Sequence, residues 1–271
     1  MRKNVDSVLL AGDTHADWTW LDRVVLATAA RLGLFAALIV GDFGYWARRP
    51  EFLEVARNSV INHGVETWFL KGNHEQHDML ERDAKAARSL EIDPTAALNL
   101  GGSLWYLPQG CRLSVGGLEV AVLGGAVSID RASRVLGDNV FVDEVATEQD
   151  VEHLISGGPT DVLLTHDAPS GWTPPGLSPD HHLPLSRQVL LPAIADHRRL
   201  LRRGYEAVQP KLLVHGHYHT AYDELVGESW GDVRIVGLDR DGSDRSLRVL
   251  SASNATPELS DWLDPWEGFS S

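Results

Sequence analysis

The chain has 271 residues, 43% hydrophobic and 23% charged, which is enough apolar material for a sizeable α/β core. The formal net charge is -14, from 38 acidic and 24 basic residues. A protein with this negative charge repels polyanions, so we expect no extended surface for binding nucleic acid. The single cysteine, Cys111, excludes an intramolecular disulfide framework and a thiolate metal cluster.

The amino-terminal segment contains a short apolar run that ends in a charged motif, unlike a signal peptide. No apolar stretch of the sequence is long enough to span a membrane. We therefore expect a cytoplasmic protein that makes no membrane contact. The sequence does not specify its oligomeric state.

The first half of the chain alternates apolar runs with segments of helical composition. Strands are predicted over 7–13, 36–42 and 67–74, and helices over 18–32, 51–62 and 76–90. Near-continuous apolar strands separated by helices are typical of a sheet that is covered on both faces.

The second half is richer in predicted strands. They cover 104–107, 111–115, 118–123, 161–167, 211–217, 233–238 and 246–250, with helices over 148–155 and 186–203. This order of elements predicts an α/β fold of two packed mixed β-sheets flanked by helices, a four-layer α/β/β/α sandwich.

We assign residues 1–251 to a single domain and residues 252–271 to an acidic carboxyl-terminal tail. A Pro-rich passage begins just after His166, and we expect the insertion at about 168–208 to lie over the site like a lid and to shape specificity. The alternative is a solvated lid followed by an amphipathic helix with exposed arginines.

Polar side chains occur at or just beyond the ends of five predicted strands. They are Asp13, His15, Asp42, Asn73, His74, His166, His217 and His219. Ligands of open α/β sheets bind at the carboxyl ends of strands, where loops aim side chains into one crevice. The set combines carboxylate and imidazole without thiolate, which suits Mn²⁺, Fe, Zn²⁺ or Ni²⁺ better than a structural zinc cage.

Each of these residues has a purely structural explanation when it is taken alone. Asp13 could cap a helix, Asn73 with His74 could form a turn, and His166 could be a hydrogen-bonded core histidine. Five segments that each present ligand-type residues after an apolar run are rarely produced by chance. The whole set therefore indicates a metal site.

These motifs resemble the ordered signature of the calcineurin-like metallophosphoesterase family. The signature elements GDxH, GD, GNH, a lone His and GHxH correspond to residues 12–15, 41–42, 72–74, 166 and 216–219. The resemblance implies a two-sheet sandwich with a dinuclear metal centre at its edge. It also implies one ion held by Asp13, His15 and His219, a second held by Asn73, His166 and His217, and Asp42 as the bridge.

This assignment of ligands suits the hydrolysis of a phosphate ester. Two cations a few ångströms apart need a shared anion, which Asp42 can supply. A water that bridges two divalent ions exists largely as hydroxide near neutral pH and can attack phosphorus in line. His74 resembles the non-ligand histidine of the family, and we assign it to protonating the leaving oxygen or donating a hydrogen bond to it.

The sequence therefore predicts a dinuclear metal-dependent phosphoric ester hydrolase, with Mn²⁺ as the first choice of ion. We expect its substrate to be a phosphate monoester or a small phosphodiester, a nucleotide being one candidate. A nuclease or 2′,3′-cyclic-nucleotide phosphodiesterase is the alternative enzyme, because the metal centre does not choose between these reactions. A catalytically silent metal-binding scaffold is the alternative of another class.

The sequence departs from many relatives after Asp42. Those relatives continue the second motif as GDxxDRG. Here Tyr45 and Trp46 stand at the positions of the second Asp and of the Arg that follows it. The missing guanidinium removes a bidentate phosphate clamp, which argues against a phosphoprotein phosphatase. His215 precedes the GHxH histidines in an alternating run, so it is either a third ligand or a group that supports the ligands.

Overall fold

The computed structural model describes residues 4–91, 93, 95–128, 142–175 and 189–267. Its strands, numbered in chain order, are β1 (Asn4–Val5), β2 (Val8–Ala11), β3 (Ala36–Val40), β4 (Glu66–Leu70), β5 (Leu98–Asn99), β6 (Leu104–Tyr106), β7 (Arg112–Val115), β8 (Leu118–Leu123), β9 (Val162–Thr165), β10 (Leu212–His215), β11 (Tyr222–Glu228), β12 (Gly231–Gly237), β13 (Leu247–Ser253) and β14 (Thr256–Leu259). The helices are α1 (Trp18–Trp20), α2 (Ala27–Arg31), α3 (Pro50–Arg57), α4 (Ser59–His63), α5 (His77–Arg88), α6 (Glu148–Ser156) and α7 (Leu191–Val208). A π-helical stretch (Leu21–Leu26) joins α1 to α2, and a 3-10 helix (Val142–Glu144) precedes α6.

The strands form two seven-stranded mixed sheets. The first sheet has the order β14-β13-β2-β3-β4-β6-β5, and its strands β2, β3, β4 and β6 are parallel. The second sheet has the order β1-β7-β8-β9-β10-β12-β11, and its strands β8, β9, β10 and β12 are parallel. Each sheet therefore has a block of parallel strands whose carboxyl ends lie at one edge.

Alternating side chains of the central strands divide the core into three apolar layers. Val8 and Leu10 of β2 lie between the two sheets, whereas Leu9 faces the helices that cover the first sheet. On the second sheet, Leu163 of β9 points outward and packs with Leu201 of α7. Because successive strand residues point to opposite faces, every central strand buries both of its faces. The four-layer α/β/β/α architecture predicted from the sequence is confirmed.

The strands missing from the sequence prediction are edge or short strands. β11 is exposed at most of its positions and pairs antiparallel with β12, so it carries no apolar run. Two strands extend beyond residue 250: β13 runs on to Ser253, and β14 pairs with it in antiparallel register. Backbone pairing keeps this segment in the first sheet although its composition is polar.

The predicted lid at 168–208 lies partly outside the described residues and stays a prediction. Its helix is α7, which begins and ends about five residues later than we expected. The alternative interpretation placed exposed arginines on this helix, including Arg198. Arg198 is instead partly buried and donates hydrogen bonds to the carbonyl oxygens of Ala168 and Pro169 at 3.0 and 3.1 Å. Within the described part of the chain, no helix is both long and apolar enough to cross a membrane.

Candidate metal centre

Parallel strand ends bring the motif residues together at one edge of the sandwich. Asp13, Asp42 and Asn73 follow β2, β3 and β4, which are parallel neighbours in the first sheet. His166 and His217 follow β9 and β10, which are parallel neighbours in the second. The backbone N–H of His217 donates to Asp13 Oδ2 at 3.2 Å, so the two rows of strand ends meet across the sandwich.

The backbone of these loops is strained in a way that is concentrated at the site. His15, Asp42, His217 and His219 have φ values of 45°, 44°, 71° and 49°. Non-glycine residues rarely adopt the left-handed region, and each costs on the order of 1–2 kcal/mol there. Backbone bonds hold the conformation: the N–H groups of Thr14 and His15 both donate to the Asp42 carbonyl, at 3.1 and 2.9 Å. Such strain clusters at functional sites.

The structure places the candidate ligands in two groups. One contains Asp13, His15 and His219, and the other contains Asp42, His166 and His217; within each, the donor atoms lie within 4.8 Å of one another. Asn73 joins the second group, since its Oδ1 lies 3.2 Å from His166 Nε2. Oxygen and nitrogen donors in groups of this size suit borderline divalent ions.

Asp42 belongs to the second group and also faces the first. One of its carboxylate oxygens, Oδ2, is 3.6 Å from His15 Nε2, and the other, Oδ1, is 3.3 Å from His166 Nε2. The side chains of Asp42 and Asp13 are almost fully buried. Two buried carboxylates need compensating positive charge, which divalent ions can supply. The donor set therefore fits a pair of ions that share Asp42.

The pKa shifts of the site residues reflect the same charge balance. Burial opposes ionisation of Asp42, but His166 and His74 hold the pKa of its carboxyl well below the usual value. Burial lowers the pKa of His166, yet Asp42 and Asp13 raise it to about 10. Burial dominates at His217 and lowers its pKa to about 4. The site thus keeps Asp42 ionised and draws cationic charge towards it.

His74 lies beside Asp42 and is partly exposed. Its backbone N–H donates to Asp42 Oδ1 at 2.7 Å, and its Nε2 lies 3.9 Å from Asp42 Oδ2. Its side chain is 20% exposed, unlike the fully buried His166. The imidazole is therefore anchored to the candidate bridge and still reaches solvent.

His215 lies in neither donor group. Its ring is fully buried, with Nε2 bonded to the Tyr222 hydroxyl and Nδ1 2.9 Å from the Gly216 carbonyl oxygen. The geometry therefore favours the interpretation of His215 as a group that supports the ligands over its interpretation as a third ligand.

Several residues that support the ligands were not singled out from the sequence. Ser128 accepts a hydrogen bond from Asn73 Nδ2 at 3.0 Å and donates to Glu144 at 2.8 Å, which turns the Asn73 oxygen towards His166. Glu75 accepts from the backbone N–H groups of Phe43 and Gly72 at 2.8 and 2.9 Å. In the sequence, the indication of this supporting role is the position of Glu75 directly after the GNH motif.

Asp167 connects three segments around the second ligand group. Its carboxylate accepts hydrogen bonds from the Tyr218 hydroxyl and from the backbone N–H of the next residue, Ala168. Its Oδ2 also lies 3.1 Å from His197 Nδ1. Because Asp167 follows His166, and Tyr218 lies between the GHxH histidines, this carboxylate ties the two histidine loops of the second sheet together.

Comparison with known proteins agrees with this geometry. The sequence model for calcineurin-like phosphoesterases matches residues 7–221. The chain belongs to this family. The match spans both sheets and all the candidate ligands, so the resemblance inferred from the motifs is confirmed. No curated protein matches the chain.

Solved structures resemble the chain at low sequence identity. TT1561 of Thermus thermophilus is 12% identical, with a TM-score of 0.53 over 95% of this chain and 99% of that one. Vps29 of Entamoeba histolytica, solved with Zn²⁺, is 11% identical with a TM-score of 0.37 over 94% of this chain and 97% of that one. Vacuolar protein sorting 29 of Cryptosporidium parvum is 12% identical with a TM-score of 0.34 over 94% and 95%.

Proposed function

We propose that this calcineurin-like phosphoesterase is an active, dinuclear metal-dependent hydrolase of a phosphate monoester or small phosphodiester. The observation that supports this most directly is the position of Asp42. Its two carboxylate oxygens face His15 of one donor group and His166 of the other, at 3.6 and 3.3 Å. A carboxylate shared between two donor groups is the arrangement that a two-metal site needs.

In this proposal, Asp13, His15 and His219 hold one ion, Asn73, His166 and His217 hold the other, and Asp42 contacts both. Mn²⁺ is the first ion to test, with Fe, Zn²⁺ and Ni²⁺ next. When bound, a pair of divalent ions supplies Lewis acidity to the phosphate oxygens and lowers the pKa of water beside them. The burial of Asp13 and Asp42 keeps bulk water from weakening that electrostatic field.

His74 is the proposed proton or hydrogen-bond donor to the leaving oxygen. Its backbone bond to Asp42 fixes the residue beside the site, and its exposure leaves the ring accessible to a substrate. A ring nitrogen that carries a proton can donate it to a departing alkoxide, which lowers the barrier by general acid catalysis.

The second enzymatic candidate is a nuclease or 2′,3′-cyclic-nucleotide phosphodiesterase. The net charge of -14 disfavours long nucleic acids. A catalytically silent scaffold is the third candidate. Because every candidate ligand is present at the strand ends and His74 stands beside Asp42, the site supports an enzyme better than a scaffold.

The test is hydrolysis of p-nitrophenyl phosphate, bis-p-nitrophenyl phosphate and 2′,3′-cyclic nucleotides by metal-stripped protein reconstituted with Mn²⁺. We expect metal-dependent turnover that collapses in His74→Ala. The matched control is His63→Ala, on α4, where the imidazole pairs with Asp22 at 2.7 Å. The preferred ester separates a monoesterase from a diesterase. Binding of two ions without turnover of any ester would contradict the proposal in favour of the scaffold.

A further inference from the structure

The loop between β12 and β13 packs directly on the first metal motif. A Cβ at Gly12 would lie 1.8 Å from the Asp239 carbonyl oxygen, so only glycine lets this loop come so close. The N–H of Gly12 donates to the Ser246 carbonyl at 2.9 Å, and the N–H of Asp241 donates to the Asp13 carbonyl at 2.7 Å. Backbone bonds therefore fix the loop beside Asp13, although it lies outside the residues 7–221 that the family model matches.

The side chain of Asp241 points at a candidate ligand. Its Oδ1 lies 3.0 Å from Nδ1 of His15, and the carboxylate is 20% exposed. The other ring nitrogen of His15, Nε2, faces the Asp42 carboxylate at 3.6 Å. An imidazole that ligates an ion is neutral, and because an ionised carboxylate only accepts hydrogen bonds, its one proton would lie on Nδ1, towards Asp241. Nε2 is then left with a lone pair directed into the ligand group.

We infer that Asp241 is a positioning residue that holds His15 in the tautomer and orientation needed to ligate an ion through Nε2. Histidine ligands commonly donate their second N–H to a carboxylate, which fixes the ring and increases its basicity. A second charged group beside this carboxylate is Arg240, whose Nη1 lies 3.9 Å from Asp241 Oδ1 and whose side chain is 54% exposed. Solvent screens that contact, so the imidazole is the better-placed partner of Asp241.

The inference rests on the proposed metal centre, but it concerns one ligand group only. Asp241 contacts His15 of the group that also contains Asp13 and His219. The second group consists of Asp42, His166 and His217, and Asp241 is not a member of it. Removing the carboxylate should therefore weaken one ion more than the other, which a general loss of stability would not do.

The experiment compares Asp241→Ala and Asp241→Asn with the wild-type protein. Ala removes the acceptor, whereas Asn keeps an acceptor oxygen but loses the charge; both keep the backbone bond to Asp13. The matched control is Asp244→Asn, which removes an exposed carboxylate of the same loop. Mn²⁺ affinities of the two sites are measured by isothermal titration calorimetry on metal-stripped protein, together with thermal unfolding and the Mn²⁺ dependence of turnover.

We expect Asp241→Ala to weaken one Mn²⁺ site by about tenfold or more, since loss of such a partner typically costs 10–100-fold. Asp241→Asn should fall between Ala and wild type, and excess Mn²⁺ should restore turnover. Unchanged affinity in Asp241→Ala, or equal weakening of both sites with a lowered unfolding temperature, would overturn the inference. Calorimetry reports the result even if no ester is hydrolysed, so failure of the proposed function is separately visible.

Discussion

Gly72 lies so close to Asp42 that a Cβ on Gly72 would be 2.2 Å from the Asp42 Oδ1 atom. The same Cβ would be 2.3 Å from the Asp42 backbone nitrogen, which cannot move aside as a flexible side chain can. The glycine of the GNH motif is therefore what permits the candidate bridging carboxylate to stand between the two ligand groups.

Gly72→Ala should displace Asp42 and reduce turnover, because overpacking of a rigid loop forces the backbone to shift. We expect a loss of at least ~10-fold in kcat/KM, comparable with loss of an outer partner of a metal ligand. The control is Gly227→Ala on β11, where the nearest atom to a new Cβ is Asp232 Oδ1 at 3.8 Å. Equal activity of the two variants would show that the close approach is unimportant.

Asp42→Asn should abolish turnover, because an amide of the same size cannot supply the shared negative charge. We expect a loss above ~100-fold and fewer than two Mn²⁺ ions per chain by calorimetry. Glu51→Gln, at an exposed position of α3, is the control for loss of one negative charge. If a scaffold function is correct instead, capture of a partner should survive the Asp42 substitution.

Tyr218→Phe should loosen the histidine loops of the second sheet, because it removes the hydroxyl that donates to Asp167. We expect weaker Mn²⁺ binding by about tenfold, with the ring's packing retained. Tyr205→Phe is the matched control, since its hydroxyl meets Glu228 at 3.2 Å, on the face of the second sheet that points away from the first sheet. Calorimetry on both variants makes the comparison; identical affinities would refute a role for the Tyr218 hydroxyl.

Asp223 joins the two sheets through charge. Its carboxylate on β11 pairs with Arg234 of β12 at 2.6 Å and with Arg248 of β13, which belongs to the other sheet. Burial opposes ionisation, but hydrogen bonds from Arg234 and Arg248 hold the pKa of the Asp223 carboxyl below its usual value. Its contribution to stability is therefore present above the unfolded-state pKa of about 4 and is lost as the pH falls through the folded-state pKa.

Asp223→Asn should lower the free energy of unfolding by about 1–3 kcal/mol at pH 7, because the buried Arg248 loses a charged partner. The difference between variant and wild type should shrink as the pH falls below about 4. Urea unfolding of metal-free protein at several pH values measures it. Asp232→Asn, at an exposed position of β12, should be neutral at every pH. A pH-independent difference for Asp223→Asn would contradict the electrostatic explanation.

Much of the fold was readable because the central strands are apolar on both faces. The runs that became β2, β3, β4, β9 and β10 are short, continuous and followed by the motif residues. A continuous apolar run reflects the burial of both faces of a strand, and it is visible in the sequence without knowledge of the strand's partners. The edge strands β11 and β14 were missed because exposed positions carry no apolar signal and pairing partners are set only by the folded sheet.

The sequence by itself determined the set of candidate ligands, since each candidate follows a strand end and every motif occurs in the order that resembles the family. Only the tertiary structure decided which groups support those ligands. Asp241 meets His15 across 226 positions, and Ser128 meets Asn73 across 55. A carboxylate or hydroxyl in a loop has no periodic signature, so its partner emerges only when packing of the two sheets brings the loops together.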